Sequence, residues 1–230
     1  MLLLLTTTLL SYAGRPGANH IVKFGKQKKD LLVSRNSAVR VESSASKGSG
    51  GLFLLGDMVI LVSAAHVTGV TDSEGYVFQG SMDYSFSVFY SHKYTDVSFS
   101  YVKGHPKDNL TEYNPASPSS IGDSMVYSGY PDSFNKCSFR GDLVGGEVLS
   151  YNPRYVLNIY SWFGSSGSVA FDQDGRPVGV SSSIANLENR HTTELEAMQS
   201  LSFFSPLYSY AKEDVISYAC KHGIESELCK

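Results

Sequence analysis

Cysteine is scarce in this chain. Cys137, Cys220 and Cys229 are the only three in 230 residues, so they cannot all pair with one another, and a disulfide framework is not what holds the fold. A bridge between Cys220 and Cys229 stays open, because Gly223 can turn the chain between them. No Cys/His spacing suggests a zinc site, so no metal is expected. A surplus of positive charge is missing as well: 19 Lys and Arg stand against 22 Asp and Glu, for a net charge of −3. The cluster Lys23, Lys26, Lys28 and Lys29 is short and lies outside the expected core, and nucleic acid is not an expected partner.

Long apolar runs are also lacking. The opening "MLLLLTTTLLSYAGRPG" has an apolar stretch well short of the about 20 residues a membrane-spanning helix needs, so a membrane is not an expected partner. No Lys or Arg precedes it, while Ser11 and Ala13 are small enough to precede a cleavage. It therefore reads either as an N-terminal arm or as a short secretion segment. The second reading implies a secreted or periplasmic protein, the first an intracellular or virion-associated one. Oligomeric state is not legible.

With 42% hydrophobic and 18% charged residues, the chain can bury one large core or two smaller ones sharing an interface. Helical periodicity is absent over most of its length. Residues 1 to about 35 read as an extension ending in the polar "KFGKQKKD". Short strand-like runs follow: "SAVRVES", "GLFLLG", "MVILVSAAH", "YVFQG", "YSFSVFY" and "DVSFSYV". Residues 107–120, "KDNLTEYNPASPSS", are turn formers and polar residues and read as a connector. A second strand series occupies about 121–210, with "DQDG" as a hairpin turn. Only Ala211, Val215, Tyr218, Ala219 and His222 then recur at helical spacing, with Gly223 placed to stop the helix. The expected class is all-β: two antiparallel six-stranded barrels, about 36–106 and 121–210, and a C-terminal helix at about 211–222.

The run "WFGSSGSVAF" gathers Gly164, Ser165, Ser166, Gly167 and Ser168 between aromatics and a strand. Such residues make ordinary turns, but they also suit a nucleophilic serine, which needs a base and a group to orient that base. His20 lies in the extension, His92 and His105 in polar stretches, His191 in "LENRHTTE" and His222 on the final helix. His66 differs, because it ends a buried apolar run behind Ala64 and Ala65, which leave room for an imidazole. Asp96 opens the strand "DVSFSYV" far enough along the chain for a hairpin to return to His66. Asp83, in a similar context, leaves room for barely one strand and a turn.

At these residues a resemblance appears. "GSGGLFLLGDMVILVSAAHV", "TDVSFSYV" and "GSSGSVAFDQDGRPVGV" resemble, in that order, the three signature regions of the trypsin-like (chymotrypsin-fold) serine proteases. "SIGDSMVYSGYP" is similar to the start of the second barrel in disulfide-poor bacterial and viral members, including the Deg/HtrA protease domain. The resemblance covers roughly residues 36–210. It implies an endopeptidase acting on a protein or peptide, with Ser166 as nucleophile, His66 as general base and then acid, and Asp96 orienting the imidazole. It also implies an oxyanion hole made by the N–H groups of Gly164 and Ser166, and no metal or organic cofactor. An α/β-hydrolase would need helices between its strands and Ser before His, neither of which the chain has.

The chain departs from that pattern at Ser165, where many members carry Asp, so activation through a new N-terminal amine has no acceptor. By resemblance, Tyr160, Ser161, Trp162 and Phe163 together with Ser181, Ser182, Ser183 and Ile184 line the primary specificity pocket. They include no acid or His, which points to an uncharged, small or apolar substrate residue. Two other readings keep the fold: a protease that cuts only its own precursor, and a silent binding or structural protein. If the opening segment is a removable signal, N-terminal sequencing of the mature protein finds it beginning near Gly14.

Overall fold

The computed structural model describes residues 29–133, 135–149, 152–184 and 201–230. The expectations for residues 1–28 and for His191 lie outside the described residues. β1 (Ala38–Ser43), β2 (Lys47–Leu55), β3 (Met58–Ser63), β4 (Glu74–Gln79), β5 (Met82–His92) and β6 (Val97–Val102) close into an antiparallel barrel in the order β1-β2-β3-β6-β5-β4. β7 (Ser124–Gly129), β8 (Cys137–Leu149), β9 (Asn152–Asn158), β10 (Val169–Phe171), β11 (Pro177–Ile184) and β12 (Ser202–Pro206) close a second, in the order β10-β11-β12-β9-β8-β7. Closure removes the sheet edges that would otherwise invite pairing with other chains. The expected double barrel is what the chain forms.

Each barrel closes around its own alternating apolar residues. In β3 all six residues are buried, which is why "MVILVS" is apolar without alternation: both faces of the strand are covered. The second barrel fills with Met125, Tyr127, Leu143, Leu157, Ile159, Val178 and Phe204. The first core reaches across the seam to Val126, Val169, Phe171 and Val180, and Phe53 meets Phe171 at a ring distance of 5.8 Å. The "DQDG" turn joins β10 to β11, with Gly175 at φ +78°. The connector runs along β2, exchanging Leu54–Thr111 and Tyr113–Leu54 backbone bonds of 2.9 and 2.7 Å. Its Tyr113 is fully buried.

Among the described residues the barrels are joined by three α-helices, α1 (Lys29–Ser37), the one-turn α2 (Ala65–Thr68) and α3 (Lys212–Lys221), and by two short 3-10 turns, Pro131–Ser133 and Glu227–Cys229. α3 matches the helical spacing of the sequence. It buries Val215 and Ala219 and stacks Tyr218 on Tyr90 of β5 at 4.2 Å. Cys220 and Cys229 are joined behind it, with their Cα atoms 5.2 Å apart.

α1 replaces the end of the expected polar extension. Leu31, Leu32 and Val33 are consecutive, so they form no stripe at helical spacing. Instead the helix buries Asp30, Ser34 and Ser37 and holds the second barrel through polar bonds. Asp30 pairs with Arg140 of β8 at 2.5 Å, Ser34 bonds the Ser128 hydroxyl at 2.8 Å, and Arg35 donates to Ser138 at 2.8 Å. A hydrophobicity pattern does not register such an interface.

Asp30→Ala is expected to lower unfolding stability by about 2 kcal/mol, the range for hydrogen bonds to charged groups, as read by denaturant titration. Reducing the Cys220–Cys229 bridge, which spans a separation of 9 residues, should remove about 2–3 kcal/mol on loop-closure grounds. Urea melts with and without reductant measure it.

Candidate active site

β3 ends at Ser63, and the chain then enters α2, so His66 sits in a single helical turn rather than at a strand's last residue. Asp96 occupies the turn between β5 and β6 in the left-handed region, at φ +55°, a conformation that Asp tolerates better than most side chains. Its Oδ1 accepts the His66 backbone N–H at 2.9 Å, and its Oδ2 lies 2.7 Å from His66 Nδ1. Its carbonyl accepts the Ala65 N–H at 3.2 Å. One residue thus holds the ring, its backbone and its helix. An ionised carboxylate there favours the hydrogen on Nδ1, and a neutral ring so held presents its Nε2 lone pair. Asp83, the other carboxylate considered, pairs with Phe78 on the exposed β4–β5 hairpin.

The turn that presents Asp96 is braced from two sides. Thr95 N–H donates to His92 Nδ1 at 3.2 Å, and the Thr95 hydroxyl bonds the Tyr210 phenol just ahead of α3. Burial raises the Tyr210 phenol above its ordinary pKa, so it remains a neutral partner.

Ser166 lies in the loop before β10, half-buried, while Ser165 and Ser168 on either side are fully buried. The peptide groups around it are fixed one by one. Phe163 carbonyl accepts from Asp132 N–H at 2.6 Å, Ser165 N–H donates to Trp162 carbonyl at 2.9 Å, and Gly167 N–H donates to Ser181 carbonyl at 2.8 Å. Gly164 carbonyl accepts from the Ser49 hydroxyl at 2.7 Å. Ser166 carbonyl accepts from Ser49 N–H at 2.8 Å. Among the described residues the N–H groups of Gly164 and Ser166 have no such acceptor, and the Ser166 hydroxyl has no hydrogen-bond partner.

Glycine is required at two of these positions. Gly164 and Gly167 both have φ +86°, where a Cβ is strained. A Cβ on Gly164 would lie 2.5 Å from Tyr130 carbonyl, and one on Gly167 would lie 2.1 Å from Ser49 carbonyl and 3.1 Å from Ala64 N. A third close approach, at Gly48, marks the seam itself: a Cβ there would stand 2.7 Å from Ser166 carbonyl and 2.8 Å from Val67 in α2. The Ser166 loop and the His66 helix therefore meet across one glycine.

The loop rests on Tyr127, whose hydroxyl donates to Tyr160 carbonyl and whose phenol burial pushes well up from the ordinary value. Beside it, burial carries Tyr130 up to about 12. Partial burial and the nearby Arg35 pull the half-buried Lys136 down to about 8. Ser161, Ser181 and Ser182 are buried, whereas Phe163 is 63% exposed and meets Trp162 edge to face at 5.5 Å. Tyr160 and Trp162 are half-buried. Ser183 and Ile184 pair with Phe203 and Ser202. Among the described residues no cluster of His, Cys, Asp and Glu is placed to hold a metal. No local pattern in the sequence points to Ser49, Tyr130 or Asp132, because each bonds residues far along the chain. The only signal was the crowding of small residues in "GSGG".

Comparison with known proteins adds the family. Solved structures that share the fold include Rv3671c protease from M. tuberculosis in its active form, at TM-score 0.63 and 18% identity, covering 86% of each chain; the HtrA-type protease AlgW with tripeptide, at 0.65 and 17%, covering 84% of this chain and 63% of that one; and the serine endoprotease from Yersinia pestis, at 0.59 and 16%, covering 77% and 61%. A comparison with curated proteins gives no match. Residues 48–180, more than half of the 230, match the trypsin-like peptidase domain. The chain belongs to the trypsin-like peptidase family.

Proposed function

We propose that this peptidase domain is a serine endopeptidase that cleaves peptide bonds through an acyl-enzyme on Ser166. The observation that carries the reading is the pair of bonds from Asp96 to His66, 2.9 Å to the backbone and 2.7 Å to Nδ1, set beside a loop whose two free N–H groups flank an accessible serine.

In this mechanism Ser166 Oγ attacks the scissile carbonyl carbon while His66 Nε2 takes its proton. Asp96 holds the tautomer and supports the imidazolium that forms. The carbonyl oxygen becomes an oxyanion and accepts hydrogen bonds from the N–H groups of Gly164 and Ser166, which no other group among the described residues occupies and which need no reorganisation. His66 returns the proton to the leaving amine and the C–N bond breaks. A water, deprotonated by His66, then attacks the ester, and Ser166 regains its proton as the acid product leaves. No cofactor takes part.

Substrates are proteins or peptides. The residue types proposed for the specificity pocket, Tyr160, Ser161, Trp162 and Phe163 with Ser181, Ser182, Ser183 and Ile184, include no charged group, which favours an uncharged substrate residue on the acyl side. Phe163, 63% exposed, offers an apolar surface at the loop's edge rather than core packing.

The test is labelling of the purified protein with a fluorophosphonate probe, mapped by mass spectrometry. Labelling confined to Ser166 and lost in Ser166→Ala is the expected result. Asp96→Asn should slow labelling by about 10⁴, as when the base is held in the wrong tautomer, and Asp83→Asn should leave it unchanged. Folded protein that takes no label would mean a silent scaffold. Labelling without turnover of added casein would mean a protease confined to its own chain.

A further inference from the structure

The groups that lie across the seam from Ser166 converge on one buried residue, Ser49 of β2, which is fully buried. All its polar atoms are engaged. Its N–H holds Ser166 carbonyl at 2.8 Å. Its carbonyl accepts from the Ser63 hydroxyl at 2.7 Å. Its hydroxyl accepts the Tyr130 N–H at 2.9 Å and donates to Gly164 carbonyl at 2.7 Å.

The hydroxyl is the atom of interest. A hydroxyl has one hydrogen, and the Tyr130 N–H already uses it as an acceptor, so its own hydrogen is committed to Gly164. That bond fixes the peptide plane between Gly164 and Ser165. The next plane carries the Ser166 N–H, and the preceding one carries the Gly164 N–H. Gly164, at φ +86° and without a Cβ, has more freedom to rotate than the serines beside it, and Ser49 removes that freedom. On the other side of the same node, Tyr130 leads into Asp132, whose N–H holds the Phe163 carbonyl at 2.6 Å and so orients the Gly164 N–H.

We infer that the Ser49 hydroxyl is a positioning residue: it sets the oxyanion-binding N–H groups of the second barrel from within the first. This rests on the serine-endopeptidase reading above. Ser49 touches no substrate atom and acts through the Gly164 peptide. The role differs from that of Asp96, which orients the base, so loss of Ser49 leaves the His66–Asp96 pair intact. A substrate's carbonyl would still bind, because the cleft walls are unaltered, while the charge that develops on its oxygen would meet misdirected donors. The effect therefore falls on the chemical step and not on binding.

Fluorophosphonate labelling of Ser166→Ala, Ser49→Ala, Ser34→Ala and the unaltered protein separates these statements, because the probe's phosphoryl oxygen occupies the same donors. The unaltered protein must label at Ser166; if it does not, the endopeptidase reading fails and this inference falls with it. Given labelling, Ser49→Ala should lower the maximal labelling rate by about ten- to a hundredfold, less than the full loss of one oxyanion donor. The probe concentration at half-maximal rate should stay within about twofold, and the pH dependence of labelling should not change. Ser34→Ala removes an equally buried serine hydroxyl, between α1 and β7, and should reduce melting temperature without changing the labelling rate of folded protein. A labelling rate for folded Ser49→Ala equal to that of the unaltered protein overturns the inference, as does a loss shared by Ser34→Ala. Should Ser49→Ala not fold, Ser49→Cys, with a weaker donor of similar size, is read in the same way.

Discussion

Everything at this site depends on how the second barrel is held against the first, and at the Ser166 loop the closest approach is between backbone groups. Ser49 N–H meets Ser166 carbonyl at 2.8 Å, and a Cβ on Gly167 would lie 2.1 Å from Ser49 carbonyl. Backbones can approach this closely only where side chains are small. The crowding of glycine and serine in "GSGG" and "GSSGS" is thus one requirement seen from its two sides. Larger residues on either side would push the barrels apart and separate the Ser166 loop from the helix that carries His66.

Closed barrels suit such a site because their strands leave little slack. Apolar packing fills each interior, and Phe53 against Phe171 ties the two cores together. The polar residues at the seam are then fixed by their surroundings before any substrate arrives. Preorganisation of this kind is what gives N–H donors their value in a reaction that develops charge. The elements outside the barrels serve the same end: α3 and Tyr210 brace the turn that carries Asp96, and α1 closes the face of β7 and β8.

The three signature segments were legible because each is local. A buried strand followed by small residues and His, an Asp opening a strand, and a Gly-Ser loop before a hairpin can each be read within about ten residues. The barrels were legible from period-two alternation broken by Gly, Pro, Asn and Asp. The "DQDG" hairpin followed from turn chemistry, and α3 from helical spacing. α1 was not, because its buried face is Asp30, Ser34 and Ser37, residues that look solvent-exposed until Arg140 and Ser128 are brought to them. His66 was placed at a strand end; the one turn of α2 was too short to leave a periodic trace.

The sequence by itself determined the class of fold, the order of its strands along the chain and which residue types could do chemistry, since those follow from local backbone preference and side-chain polarity. Only the tertiary structure decided that Asp96 holds both the His66 ring and its backbone N–H, that Ser49 bonds Gly164, and that α1 is a helix. The physical reason is separation. The Ser49–Gly164 bond joins positions 115 residues apart and the Asp30–Arg140 bond positions 110 apart. Such pairings exist only once both barrels have closed and set their registers, and no local pattern encodes them.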